Sequence, residues 1–389
     1  MPYYRRVGEV PRKRHTLAKA PEGGWLAEEL MGEEGFSQES ALLYHLRSPS
    51  AVVALEAVDD PAAAEEPTAD RPLTPRHLRT GDLAPGGDAV LGRRRLLGNA
   101  DLTLSYVAAD ADSDLYRNAV GDELVYVHAG EARLETSFGA LDVATGDYVV
   151  LPTGTTHRWV LRSERLDLLV LEAGGHVQIP AKYLTTRGQL AEGAPFSERD
   201  LRAPHEPLLA EGAEVPVLVR NRAGLTRMVQ ATHPFDVVGW DGCLYPYALS
   251  IRDFEPIVGM LHQPPPVHQT FAGPKFVVCS FVPRPFDFHP EAVKIPYHHA
   301  NVDSDEVLFY ADGDFMSRAG SGIGVGSISY HPAGFVHGPQ PGSLERSMEA
   351  TETRETAVMV DTFRPLGVTD GARSISDPAY PSSWSGGRS

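Results

Sequence analysis

The chain has 389 residues, 42% of them apolar, two cysteines and a formal net charge of −17. That charge argues against nucleic acid or an anionic membrane as the main partner, and two cysteines form at most one bridge rather than a disulfide framework. The apolar share supplies real cores, the length suits two similar halves with extensions, and no run approaches the roughly 18 apolar residues of a bilayer span.

The opening MPYYRRVGEVPRKRH is basic but lacks an apolar run, so it reads as the start of a soluble cytoplasmic chain rather than a secretory signal. Next, GGWLAEELMGEEGFSQESALLYHL predicts a short amphipathic helix, followed by the apolar run AVVALEAV. Residues 59–90 are rich in Pro, Ala and acid and predict a long surface connection. From about residue 91 the texture changes. LTLSYVAA, DELVYVHAG, ARLETSF, YVVLP and LDLLVLEA alternate apolar with polar residues between Gly, Asp or Pro, the pattern of compact antiparallel β structure. The same texture resumes in VPVLVRN, FVVCSFV, EVLFY and TAVMVDTF, and no long helix is predicted after residue 90.

Two stretches repeat. GDYVVLPTGTTH places Gly146, Pro152, Gly154 and His157 at intervals of six, two and three, and GSISYHPAGFVH places Gly326, Pro332, Gly334 and His337 at the same intervals. Upstream, Asn118, Glu123 and Gly130 match Asn301, Glu306 and Gly313, at intervals of five and then seven in both halves. Such agreement points to two copies of one unit. In each, proline and glycine set a tight turn and the histidine emerges on the next strand.

These spacings resemble the two motifs of the cupin superfamily. The resemblance implies a mainly β protein of two jelly-roll barrels, divided here as an N-terminal extension and linker (1–90), a first barrel (91–215), and a second barrel with a C-terminal tail (216–389). The family pattern offers two histidines one residue apart, a glutamate, and the histidine after the turn. The first half has Tyr116 and Asn118 in place of the pair and keeps only Glu123 and His157, too few to hold a catalytic metal. The second half keeps His299, Glu306 and His337, with His298 as competitor for His299. Two imidazoles and one carboxylate suit non-haem Fe(II), because three coordination positions stay open. Histidines in a jelly roll can equally be hydrogen-bonded core or rim residues. In one flat strand His299 and Glu306 would face opposite sides, so NVDSD must bend or bulge.

Over nearly the whole chain the sequence also resembles the homogentisate 1,2-dioxygenase family. VGEVPRKRHT is similar to that family's opening segment, FGALDVATGDYVVLPTGTTHRW and GGHVQIP to its inactive first barrel, and HPFDVVGWDGCLYPYALSIRDF to the approach to its active barrel. PYHHAN, Glu306 and VHGP resemble its iron ligands in order. The resemblance implies a ring-cleaving Fe(2+) enzyme acting on a small aromatic acid and O2 in tyrosine and phenylalanine catabolism, assembled as a homo-oligomer. His262 or His268 would serve as the catalytic base, and His331 would sit near bound water or substrate. Phe315 stands where the family carries a substrate-binding tyrosine, which removes one hydrogen bond to substrate, and the spacing between iron histidine and glutamate is one residue longer. Arg284 and Arg318 are candidate partners for the substrate carboxylate. Rival readings are a gentisate or hydroxynaphthoate dioxygenase, a non-catalytic binding bicupin, and a zinc or manganese sugar-phosphate isomerase.

Overall fold

The computed structural model describes residues 3–385, so the outermost ends of the expected extension and tail lie outside the described residues. Strands dominate, and the α-helices among the described residues, Ser343–Ser347 and Asp370–Ser374, are one turn long. No described helix is long and apolar enough to cross a membrane.

The first barrel is a sandwich of two sheets. One runs in the order Gly139–Ala144, Glu131–Thr136, Thr156–Leu161, Tyr116–Asn118, Ala213–Asn221, Gly224–Thr232, Val52–Val58. The other runs Leu201–Arg202, Tyr247–Ser250, Asp147–Leu151, Glu123–Ala129, Leu166–Ala173, Leu102–Ala109, Arg94–Gly98, Gly367–Val368. Period-two alternation explains why Glu123–Ala129 is apolar on both faces. Val125 and Val127 join Leu134, Trp159 and Val170 between the sheets, while Leu124 and Tyr126 face outward into a second core.

That second core joins the barrels. Tyr106, Tyr126 and Tyr148 pack with Phe271, Val278, Val307, Phe309 and Val358. Within it the Tyr148 hydroxyl lies 2.9 Å from Ser280 Oγ across the seam. The second barrel supplies a six-stranded sheet in the order Gln269–Gly273, Phe276–Phe281, Thr356–Thr362, Asp305–Asp312, Ser327–His331, Arg76–Arg79. With Val307 and Phe309 committed to the seam, alternation turns Glu306 and Tyr310 into the barrel. The same holds for His331 beside the seam residues Ile328 and Tyr330.

Three expectations are corrected. The predicted N-terminal helix is two strands, Ala27–Gly32 and Ser40–His45, in a four-stranded sheet with Val237–Gly242 and Arg5–Gly8. The surface connection 59–90 contains the strand Arg76–Arg79, which completes the edge of the second barrel's sheet beside Ser327–His331. The expected division at residue 215 falls inside the strand Ala213–Asn221, and strands as late as Tyr247–Ser250 still pair with the first barrel.

Candidate metal centre

The turn that carries His337 is built from backbone up. Gly334, left-handed at φ 84°, donates its N–H to Asn301 O at 2.9 Å, and Ala333 N–H donates to Asp305 Oδ1 at 2.8 Å. His299 does not lie on the strand of Glu306. It pairs only with His337, exchanging backbone hydrogen bonds of 2.9 and 2.8 Å, and residues 300–304 then turn before the strand Asp305–Asp312 begins. The bend demanded by the seven-residue spacing is therefore a break between two strands rather than a bulge within one.

The three side chains converge. One ligand atom from each of His299, Glu306 and His337 lies within 4.8 Å of the others. His299 Nε2 is 3.4 Å from Glu306 Oε2, and His337 Nε2 is 3.2 Å from Glu306 Oε1. Both rings are fixed from behind: Nδ1 of His299 faces Tyr297 O at 3.1 Å and Nδ1 of His337 faces Phe335 O at 3.0 Å. A carbonyl can only accept, so each Nδ1 holds the proton and each neutral Nε2 presents a lone pair. Those lone pairs face a carboxylate, which also only accepts. Acceptors gathered this way require a cation or extra protons among them, and the buried His337 Nε2 has no hydrogen-bond partner. Burial pushes the Glu306 carboxyl upward, yet the three imidazoles gathered on it, His299 first, outweigh this and hold it well below the usual carboxylate range. The donor set fits a first-row divalent metal with open positions.

Residues 67–251 match the family described as homogentisate 1,2-dioxygenase N-terminal, ending just after the first-barrel strand Tyr247–Ser250. A Saccharolobus solfataricus protein named "Putative dioxygenase" is 42% identical over 390 residues, covering 99% of each chain. The chain belongs to the homogentisate dioxygenase family. It is accordingly an oxidoreductase of the dioxygenase class. Homogentisate 1,2-dioxygenase of Bradyrhizobium diazoefficiens is 25% identical over 288 residues, covering 70% of this chain and 62% of that one. The match thus spans less than two thirds of that relative. A cupin 2 conserved barrel protein from Leptotrichia buccalis superposes with TM-score 0.36 at 10% identity over 74% of this chain and 96% of its own.

Other residues expected at the site of this family member fall in distinct places. His298 is exposed and packs against Gly338, and it is His299 that joins the cluster with Glu306 and His337. His331 is fully buried beside the carboxylate. Its Nδ1 donates to Glu306 Oε1 at 3.0 Å, so its Nε2 accepts from the Tyr380 hydroxyl at 2.9 Å, and its ring stacks on His337 at 3.9 Å. Phe315 is likewise buried, edge-on to Tyr310 at 4.9 Å. Arg318 is buried and donates to the Tyr310 hydroxyl at 2.9 Å and Gly338 O at 2.8 Å. Arg284 donates to Val282 O at 3.0 Å and pairs with Glu355 at 3.7 Å.

The two base candidates differ sharply. His262 has a half-exposed side chain, 3.7 Å from Asp287, its ring edge-on to Tyr297 with centroids 5.2 Å apart, and Tyr297 neighbours His299. His268 is buried against Phe281 with its Nδ1 unpartnered, and burial, then Arg284, pushes it down to about 3. Tyr380 and Asp361 were not anticipated. Asp361 lies opposite Glu306 in the sheet and accepts from Asn301 Nδ2 at 3.0 Å.

Proposed function

We propose that this protein is a non-haem iron(II) dioxygenase that opens the aromatic ring of homogentisate or a closely related hydroxyaryl acid, incorporating both atoms of O2. The observation that carries the reading is the convergence of two imidazole nitrogens and one carboxylate, with a third imidazole held back from the cluster by Glu306 and Tyr380. When bound, the metal supplies a Lewis acid, a template and a path for electrons between ring and oxygen.

The chain's own residues do the rest. His299 and His337 offer Nε2 on one side of the cluster because their Nδ1 atoms are tied to the backbone. Glu306 brings negative charge that favours a cation over protons. His262, at the exposed mouth beside Tyr297, is the group placed to accept the phenolic proton of an incoming substrate. His268, held neutral by burial, is a poor base and shapes the Pro-rich turn instead. Tyr297, Phe335 and Val336 leave apolar surface exposed around the mouth, suited to an aromatic ring.

The homogentisate relatives support that substrate, and the missing hydroxyl at Phe315 favours including close analogues. Iron analysis joined to O2 uptake on homogentisate, gentisate and 1-hydroxy-2-naphthoate tests the reading. One O2 consumed per ring, with an absorbing ring-opened product, is expected with homogentisate. Bound iron without uptake on any of the three would leave a metal-binding bicupin instead. A homo-oligomer is part of the proposal, since Met260, Leu261, Phe288 and Val293 expose apolar surface beside the site.

A further inference from the structure

A second cluster of metal-ligating side chains lies where the N-terminal extension meets the first barrel, away from the centre just described. Glu33, Glu34 and Glu39 sit in the connection between the strands Ala27–Gly32 and Ser40–His45. Asp122 immediately precedes Glu123, and His176 follows the strand Leu166–Ala173. His176 Nδ1 is 3.4 Å from both Glu33 Oε1 and Asp122 Oδ1, and its Nε2 is 3.8 Å from Glu34 Oε1. One ligand atom from each of Glu33, Asp122 and His176 lies within 4.8 Å of the others.

The cluster is short of positive charge. Three carboxylates gather around one imidazole, Glu39 lines the same cavity, and among the described residues no Lys or Arg pairs with any of the four. Two polar atoms are also left over in the same cavity, which Glu33, Glu39, Asp122, Cys243 and Tyr247 line. The Tyr247 side chain is 2% exposed and its hydroxyl has no partner, and Glu39 Oε2 is buried without one. Asp122 is already held in place, accepting from Thr153 N at 2.8 Å and Val177 N at 2.9 Å, so its oxygen is fixed rather than mobile. A buried hydroxyl and carboxylate oxygen without partners would cost stability if nothing else occupied the space.

We propose that Glu33, Asp122 and His176 bind a first-row divalent cation, with the Tyr247 hydroxyl and Glu39 bonding to its remaining water ligands. Two oxygens and one imidazole nitrogen suit Zn2+ or Mn2+ better than Ca2+ or Mg2+, which prefer oxygen alone. The ion clamps the extension onto the first barrel and takes no part in the oxygenase chemistry.

The test removes the other centre first. The His299→Ala/Glu306→Gln double variant is dialysed against Zn2+ and its metal content and Tm are measured. One tightly held Zn2+ per chain and a Tm that rises with Zn2+ are expected. Adding Glu33→Gln relieves a crowded acid, so folding is retained, and it should weaken that Zn2+ more than tenfold and remove the Tm rise. A double variant that binds no Zn2+, or Zn2+ binding indifferent to Glu33→Gln, would overturn the proposal. Neither result bears on iron at His299, Glu306 and His337.

Discussion

The two barrels build the same turn and then fill it differently. In both, a left-handed glycine donates its N–H to an asparagine carbonyl, Gly154 to Asn118 at 2.7 Å and Gly334 to Asn301 at 2.9 Å. In both, an aspartate before the glutamate accepts from the turn, Asp122 from Thr153 N and Asp305 from Ala333 N, each at 2.8 Å. The glutamate's partner is where they part. Glu123 accepts two parallel bonds from Arg93, at 3.0 and 2.8 Å, and a third from Asn118 at 3.0 Å. Arg93 also lies over the ring of Tyr116, the residue in the position of His299. Burial pushes Glu123 up, but Arg93 pulls it further down, to about 2. A buried carboxylate in this barrel requires a positive charge, and one copy carries it as a side chain. The other copy brings three imidazoles to Glu306 and no guanidinium, which leaves the charge to be supplied from solution.

The comparison breaks most visibly at the ligands. His299→Ala should abolish metal binding and lower turnover more than about 1000-fold, because the bound ion carries several kcal/mol of the barrier reduction. His157→Ala should leave metal content unchanged. The reverse result, read by metal analysis of both variants, would exchange the roles of the barrels. Next in size comes the built-in cation. Arg93→Met leaves Glu123 buried and unpaired, at a cost of roughly 3–5 kcal/mol in denaturant unfolding. Arg93→Met/Glu123→Gln should recover most of that loss. Both should keep metal at the second barrel. A single variant as stable as the parent would mean that the guanidinium is not the ion's replacement.

Smaller effects sharpen what lies behind the metal. Tyr380→Phe removes the donor that holds the His331 tautomer, so Glu306 loses an orienting bond on Oε1. Metal affinity should fall about tenfold, the lower end for groups that orient a ligand. Competition with a chelator measures it, and unchanged affinity together with a changed Tm would reduce Tyr380 to packing.

Some of this was legible in the chain and some was not. Asn, Glu, Pro-x-Gly and His recur at fixed spacing because each meets a backbone demand of the same turn, so the repeat survives in the letters. Asp122 and Asp305 recur too, as the residue before each glutamate. Arg93 was invisible, being one of three consecutive arginines, and nothing in the letters says which of them reaches Glu123. Tyr380 lies 49 residues beyond His331, and nothing local marks the contact. The extension was misread because LAEELMG has helical spacing, whereas pairing with Ser40–His45 decides its conformation. Arg76–Arg79 hid among prolines for the same reason: its strand geometry comes from Ser327–His331.

The barrels also differ in what covers their mouths, and that difference has its own pH signature. The turn of the first barrel, at Gly154 and Thr156, shares a cavity with Glu29, His45 and Asp236 of the extension sheet and its neighbouring loop. Burial alone would depress His45, but bonds of 2.6 Å to Asp236 and 2.9 Å to Glu29 outweigh it and raise it to about 9. A folded value above the unfolded one means the folded state holds the proton longer, so stability falls as pH rises. The contribution is whole below about 6.5 and lost as pH passes through about 9. The informative quantity is therefore the difference between the parent and His45→Gln. The parent's Tm should fall more steeply between those two pH values, while the metal content of the second barrel stays level. Equal slopes would show that the cover over the first barrel is held by packing rather than by this ion pair.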